Sequence, residues 1–162
     1  MFSHITVGSN DLAVSRRFYD ALFAAMGGRP GMTDEDGKLV YIKEGRMFIV
    51  TPPIDGQPAC HANGGTIGFA LQSPQAVHAW QEAGVAQGGS AIEAPAGVRH
   101  KAGRQLYLAY LRDPDGNKLC GVHVMGCVAR RARDSTPHLS AGCRRDRALH
   151  PASTAVHADS VG

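Results

Sequence analysis

Two stretches of this sequence follow one pattern, 62 residues apart. Each has a short apolar run, then a side chain that can cap a helix, then apolar residues at helical spacing. The matched residues are His4 with Thr66, Ile5 with Ile67, Val7 with Phe69, Asp11 with Ser73, Phe18 with Trp80 and Ala21 with Ala83. Solenoid units span about 20–50 residues and recur more often than twice. The repeat therefore predicts a duplicated module.

The order of elements in each copy follows from apolar spacing and turn residues. The first copy predicts a strand over 2–7, a helix that begins after Asp11 and ends before Gly27, and strands over 29–32, 38–43 and 47–51. The second predicts a strand over 66–71, a helix from near Pro74 to Gly88, and strands over 91–93, 106–111 and 119–124. Residues 54–65, rich in Gly and Pro, are typical of a linker. The chain is thus predicted to be an α+β fold of two tandem βαβββ modules, about 1–53 and 66–125.

A β-hairpin is the strongest local prediction. Two apolar runs flank the segment 113–117, which reads Asp-Pro-Asp-Gly-Asn. Pro114 presets φ for a turn, Asp113 and Asp115 can bond nearby backbone, and Gly116 supplies a positive φ without steric cost. Strand alternation then places Leu106, Leu108, Tyr110 and Arg112 on one face and Tyr107, Ala109 and Leu111 on the other.

The end of the chain differs from the rest. Residues 126–162 contain six arginines and three aspartates, which account for the net charge of +3, and they show no apolar periodicity. We predict that this tail is disordered and dispensable for the fold. Because the basic excess belongs to the tail and no aromatics interleave its arginines, the charge gives little support to a nucleic-acid partner.

The four cysteines, Cys60, Cys120, Cys127 and Cys143, form no CxxC motif and no zinc-like spacing. The first residues lack a basic and then apolar leader, and no apolar run approaches the roughly 18 residues of a membrane span. The sequence therefore predicts a cytoplasmic protein with free thiols and no membrane partner.

Three features together resemble the vicinal oxygen chelate superfamily: residues 3–23 as a strand leading into a helix, the βαβββ duplication, and the 113–117 turn before a closing strand. That superfamily includes glyoxalase I, bleomycin- and fosfomycin-resistance proteins, extradiol dioxygenases and methylmalonyl-CoA epimerase. The resemblance covers residues 1–125 and implies curved sheets around a cleft, with dimerisation. It does not specify a reaction, because the members share a scaffold and not a substrate.

Metal-dependent members of the superfamily take one ligand from the first and one from the last strand of each module. Carried onto this chain, those positions are His4, Thr66, Cys120 and the region of Ile49. Only His4 matches the usual ligands, since Cys120 stands where the family has Glu, and Ile49 has no donor atom. The resemblance therefore implies a degenerate metal site. Additional soft or nitrogen ligands for an unusual site of His4 and Cys120 are His61, His100 and His123, although His123 should face away from Cys120.

Several residues are candidates for ligand contact. Tyr110 lines the cleft if it lies across the hairpin from Cys120. Residues 95–105 are predicted to be a loop at the cleft mouth, whose cations Arg99, His100, Lys101 and Arg104 would favour an anion. Tyr41 belongs to either the cleft or the core, whereas Phe18 and Trp80 are predicted to pack helices onto sheets.

Two functions follow. The first is a small-molecule-binding protein, glyoxalase- or bleomycin-resistance-like, with a degenerate metal site and no cofactor. The alternative is a metal-dependent lyase or isomerase like lactoylglutathione lyase, or a dioxygenase, in which His4 and Cys120 help to bind Zn, Ni, Mn or Fe. Both imply a homodimer, although the sequence leaves open whether the modules swap between chains.

Overall fold

The computed structural model describes residues 2–127. The first module contains β1 (His4–Gly8), α1 (Leu12–Ala25), β2 (Met32–Thr33), β3 (Leu39–Lys43) and β4 (Arg46–Thr51). The second contains β5 (Ile67–Ala70), α2 (Pro74–Ala86), β6 (Ser90–Lys101), β7 (Arg104–Arg112) and β8 (Lys118–Cys127). The last strand runs two residues beyond the predicted module boundary, and the disorder predicted for the tail lies outside the described residues beyond Cys127.

The two modules have the same topology. Sheet 1 has the order β1-β4-β3-β2, and sheet 2 has the order β5-β8-β7-β6. In each sheet the first strand runs parallel to the last, and the remaining pairs are antiparallel. This confirms the predicted α+β fold and the duplication. Neither helix of the described part of the chain is long and apolar enough to cross a membrane.

Both helices begin at the positions predicted from their capping residues, Asp11 and Ser73. The Asp11 carboxylate accepts hydrogen bonds from the backbone N–H groups of Ala13 and Val14, at 2.8 and 3.0 Å. Ser73 accepts one from the Ala76 N–H at 3.1 Å, and Pro74 occupies the first turn. These bonds satisfy N–H groups that a helix leaves unpaired at its start.

One hydrophobic core serves both modules. Phe18 and Trp80, the matched residues of the repeat, are both fully buried, as predicted. The helices meet at Gly84, where a Cβ would lie 2.7 Å from a Leu111 methyl and 3.3 Å from the Phe18 ring. Only a residue without a side chain permits this approach. Each sheet thus has one face on the shared core, and we call the opposite face its open face.

The prediction of a loop over residues 95–105 is wrong. β6 continues to Lys101, and a two-residue turn, Ala102 and Gly103 with φ of 50° and 72°, leads directly into β7. The Pro and Gly that suggested a loop lie at an irregularity, where the β6–β7 register shifts between Ile92 and Gly97. A bulge tolerates Pro because its N–H is not needed in the ladder. The strand predicted over 91–93 is correspondingly much longer.

The turn at 113–117 connects the modules as well as two strands. Within the turn, Asp113 Oδ1 accepts the backbone N–H groups of Asp115 and Asn117, at 3.1 and 2.7 Å. Its other oxygen, Oδ2, accepts the Tyr19 hydroxyl of α1 at 2.6 Å. Burial raises the pKa of Asp113 despite these donors, and burial beside Asp113 raises the pKa of Tyr19 well above its usual value.

Asp115 makes the second set of contacts between the modules. Its Oδ1 accepts both the backbone N–H and the side-chain amide of Asn10, at 2.9 and 2.8 Å. Its Oδ2 accepts the Ser15 hydroxyl at 3.3 Å. The Asn10 side chain also holds the linker, donating to the Ala59 carbonyl and accepting the Ala59 N–H. The start of α1, the linker and the hairpin turn are therefore joined at one point.

Replacing Tyr19 by Phe tests this connection. The substitution Tyr19→Phe removes a buried hydrogen bond to a carboxylate and keeps the ring, so we expect the free energy of unfolding to fall by about 1–3 kcal/mol. Urea denaturation measures the change. Tyr107→Phe is the matched control, because its hydroxyl bonds the exposed His78 at 2.7 Å and should cost less than about 1 kcal/mol. Equal losses for the two variants would contradict a special role for Tyr19.

Candidate functional site

The open face of sheet 2 carries Tyr110 and Cys120, two of the residues that the sequence proposed for the site. Alternating residues of β7 and β8 form it: Leu106, Leu108, Tyr110, Lys118, Cys120 and Val122. The other face is on the core, since Ala109, Leu111 and Leu119 are fully buried there. Leu108 and Cys120 are also buried, at 3% and 5% exposure, whereas Tyr110 is half-buried. The face therefore offers an apolar floor with one phenol on it.

Tyr110 and Cys120 are direct partners across the β7–β8 ladder. The Cys120 thiol donates to the Gly121 carbonyl at 3.7 Å. Burial, with the neighbouring Cys120 and Glu93, raises the pKa of Tyr110 to about 12. Burial likewise raises the pKa of Cys120, and this outweighs the lowering effect of the neighbouring Tyr110 hydroxyl. Both groups are consequently neutral near pH 7.

A cation lies beside this pair. The Lys118 ammonium is 5.0 Å from the centre of the Tyr110 ring and forms an ion pair with Glu93. An ammonium over an aromatic face is attracted by the ring quadrupole. Glu93 reaches it because it has φ of 62° at the β6 bulge. The Arg99 guanidinium stabilises the same bulge by donating hydrogen bonds to the carbonyls of Pro95 and Val98, at 2.8 and 3.0 Å.

The four metal-ligand positions do not form a fitting donor set. His4 is exposed on the open face of sheet 1, its Nδ1 2.9 Å from the Ser3 hydroxyl, and Thr66 is exposed just before β5. Cys120 is a buried, protonated thiol, and Ile49 contributes no donor atom. Within residues 2–127, no three His, Cys, Asp or Glu side chains group closely enough to hold a metal ion. Divalent ions prefer anionic or imidazole ligands, so these residues do not fit the metal that the resemblance implies.

The other histidines proposed as ligands lie elsewhere. His61 packs against the 113–117 turn, with its Nδ1 3.0 Å from where a Cβ of Gly116 would be. His100 is exposed near the end of β6, opposite Gln105. His123 Nδ1 lies 3.0 Å from the Leu71 carbonyl, on the core side of β8. Its direction opposite to Cys120 follows the strand alternation that the sequence predicted.

Tyr41 belongs to the core. It is 1% exposed and stacks on Phe23 at a ring distance of 4.5 Å. Its hydroxyl donates to Asp20 at 2.9 Å, and burial next to that carboxylate strongly raises its pKa. Of the two alternatives that the sequence left open for Tyr41, the structure selects the core. Arg104, by contrast, is exposed at the start of β7 and pairs with Lys101 across the ladder.

Sequence reasoning missed Glu93 and Lys118. Lys118 lies two residues before Cys120 on a strand, so alternation alone could have placed it on the same face. No such signal exists for Glu93, because its position depends on a left-handed residue in a bulge. The His78–Tyr107 hydrogen bond, on the core side of sheet 2, was also not foreseen.

Comparison with solved structures gives a close match. A glyoxalase/bleomycin resistance protein from Albidiferax ferrireducens is 52% identical, with a TM-score of 0.73 over 76% of this chain and 98% of that one. A glyoxalase-related enzyme from Fulvimarina pelagi shares the fold at 20% identity and a TM-score of 0.58, over 76% of this chain and 87% of that one. Lactoylglutathione lyase from Agrobacterium tumefaciens does so at 18% identity and a TM-score of 0.54, over 76% and 92%. No protein-family model and no curated protein matches the chain.

The state of Cys120 can be tested by alkylation. A buried thiol with a raised pKa has little thiolate, so iodoacetamide at pH 7.5 should modify Cys120 at least about tenfold more slowly than the exposed Cys60. Peptide mass spectrometry of timed samples measures both rates in one protein, and urea should make them equal. Faster labelling of Cys120 than of Cys60 in the folded protein would show that the thiol is activated.

Proposed function

Because the chain belongs to the glyoxalase/bleomycin resistance protein family, we propose that it binds a small organic anion on the open face of sheet 2 without a resident divalent metal. The observation that supports this is the replacement of the family's carboxylate by Cys120, held neutral beside Tyr110. A buried neutral thiol is a poor metal ligand, but it packs as a small apolar side chain and completes the apolar floor of this face.

The groups on this face suit an anion. Tyr110 remains protonated near pH 7 and can donate a hydrogen bond, and Lys118 and Arg99 bring positive charge. The Glu93 carboxylate forms an ion pair with the Lys118 ammonium. It marks the position that the carboxylate of an anionic ligand would take. Neither Tyr110 nor Cys120 is suited to act as a general base near pH 7, since both pKa values are raised. The proposal is accordingly binding rather than proton transfer.

The end of the β6–β7 hairpin extends the positive charge. Lys101 and Arg104 pair across the ladder next to the turn, and His100 is adjacent. Exposed cations of this kind raise the local concentration of an anion and speed its association, an effect that salt screens. We propose that His100 and Arg104 act in this way, rather than as direct contacts.

We further propose that the protein is a homodimer. Both sheets have their inner faces on one core, so their open faces point away from it and are available to a second copy. On the open face of sheet 1, Met32, Ile42 and Met47 are 58%, 50% and 38% exposed. Apolar patches of this kind favour association. A second copy laid over an open face would enclose the ligand.

Metal titration tests the absence of a resident metal. We expect no stoichiometric binding of Zn, Ni, Mn or Fe(II) by isothermal titration calorimetry, and the same heats for His4→Ala as for the natural protein. One ion per chain, lost in His4→Ala, would contradict the proposal and support a metal-dependent lyase or isomerase.

Ligand binding is tested by thermal stabilisation. A panel of small carboxylates and phosphates, each with its neutral amide or alcohol, should include anions that raise the melting temperature, with about 2.7 kcal/mol of stabilisation at a concentration 100 times Kd. Lys118→Gln should raise the Kd of these anions at least about threefold. Lys101→Gln should raise that Kd less. Stabilisation by the neutral partners as strongly as by the anions would contradict an anion site.

A further inference from the structure

A cavity of about 370 Å³ lies between the two modules, along β5 at the edge of sheet 2. It is bounded by β5, by the start of β4, by the β3–β4 turn and by the end of α1. Its volume lies at the small end of the range for ligand pockets, roughly 300–1,000 Å³. Among the described residues, Tyr110, Cys120 and Lys118 do not line it.

The cavity reflects a difference between the duplicated modules. In the second module, five residues connect β7 to β8, and this turn fills the space against the end of β1 and the start of α1. In the first module, the equivalent turn between β3 and β4 has only two residues, Glu44 and Gly45. β5 is the counterpart of β1, and the cavity lies between β5 and this short turn. The shorter turn thus leaves open a space that its counterpart occupies.

Aromatic rings form the floor of the cavity. Phe23 and Phe69 meet edge-on at a centroid distance of 6.1 Å, and Phe48 and Phe69 do so at 5.6 Å. Phe48 is 5% exposed, so its ring belongs to the core and presents only an edge to the cavity. Such walls fit an alkyl chain or a ring rather than a polar molecule.

The rim of the cavity is charged and unbalanced. Glu44 is shared by two cations, with Lys43 Nζ at 3.2 Å and Arg46 Nη1 at 3.9 Å. These three side chains all line the cavity, so its rim carries one formal positive charge in excess. The Lys43 side chain is 26% exposed, which limits screening of its ammonium by water.

We infer that this cavity binds an amphipathic monoanion, such as a carboxylate with an alkyl or aryl body. The apolar body lies on the rings of Phe23, Phe48 and Phe69, and the carboxylate lies at the rim between Lys43 and Arg46. The ligand carboxylate balances the one positive charge of Lys43 and Arg46 that Glu44 leaves uncompensated. This site is independent of the function proposed for the open face, and each can fail without the other.

The single tryptophan of the chain reports on the cavity. Trp80 is fully buried, and its ring centre is 5.9 Å from that of Phe69, which lines the cavity. Octanoate, added to the full chain below its micelle concentration, should therefore change the Trp80 emission saturably. Octylamine, with the same chain and the opposite charge, should bind at least about tenfold more weakly.

Two variants and two controls locate the site. Lys43→Gln should weaken octanoate binding about three- to fivefold, the range expected for one partly exposed ion pair. Ile67→Ala should weaken it more, because Ile67 packs against the core with Phe69 and lines the cavity, so the change removes apolar contact with the ligand. Lys101→Gln, a change of the same charge on the distant hairpin, should leave binding unchanged. Cys120→Ser should also leave it unchanged, which separates this cavity from the open face.

The outcomes are distinct. Equal affinities for octanoate and octylamine, or no effect of Lys43→Gln, would overturn the anion preference. Octanoate binding that Cys120→Ser abolishes and Ile67→Ala leaves intact would place the ligand on the open face instead. A Trp80 signal that changes with protein concentration and not with octanoate would show that a second copy fills the cavity.

Discussion

The carboxylates of Asp113 and Asp115 hold the two modules of this protein together. A turn of Asp-Pro-Asp-Gly-Asn is common enough as a hairpin connection, but here its acidic side chains do more than shape the turn. Asp113 satisfies the turn backbone with one oxygen and the Tyr19 hydroxyl of the other module with the second. Asp115 bonds Asn10 at the start of α1. A buried carboxylate such as Asp113 is costly unless its oxygens are paired, and its oxygens have donors from both modules.

The shared core follows from this connection and determines where a ligand can bind. Because the helices meet at Gly84 and the aromatic residues of both sheets pack together, most of each inner face is buried. A ligand can therefore bind on the open faces or in the cavity at the edge of the core. On sheet 2, the open face carries the neutral thiol of Cys120 beside the neutral phenol of Tyr110. The Lys118–Glu93 ion pair beside them gives the face its own electrostatic character.

The fold was largely predictable from local signals, and the site was less so. Asp11 and Ser73 marked both helix starts, and the matched burial of Phe18 and Trp80 followed from their place in the repeat. The long β6 strand was missed because Pro95 and its neighbouring glycine are normally loop residues, and only pairing with β7 holds them in a strand. Tyr41 could not be assigned because alternation does not say which face of a strand meets a helix. The contact of Glu93 with Lys118 depends on a backbone conformation that glutamate seldom adopts.

The unequal turns of the two modules have a consequence for how this protein can change. The 113–117 turn is constrained along its length, since its residues bond the other module and its glycine lies against His61. Within residues 2–127, the Glu44–Gly45 turn makes no comparable connection, and it borders the cavity. Lengthening a free surface turn costs little loop entropy. Insertions should therefore accumulate at Glu44–Gly45. A longer loop there could extend into the cavity and change which ligands it accepts, while the bonds of the 113–117 turn to the first module stay intact.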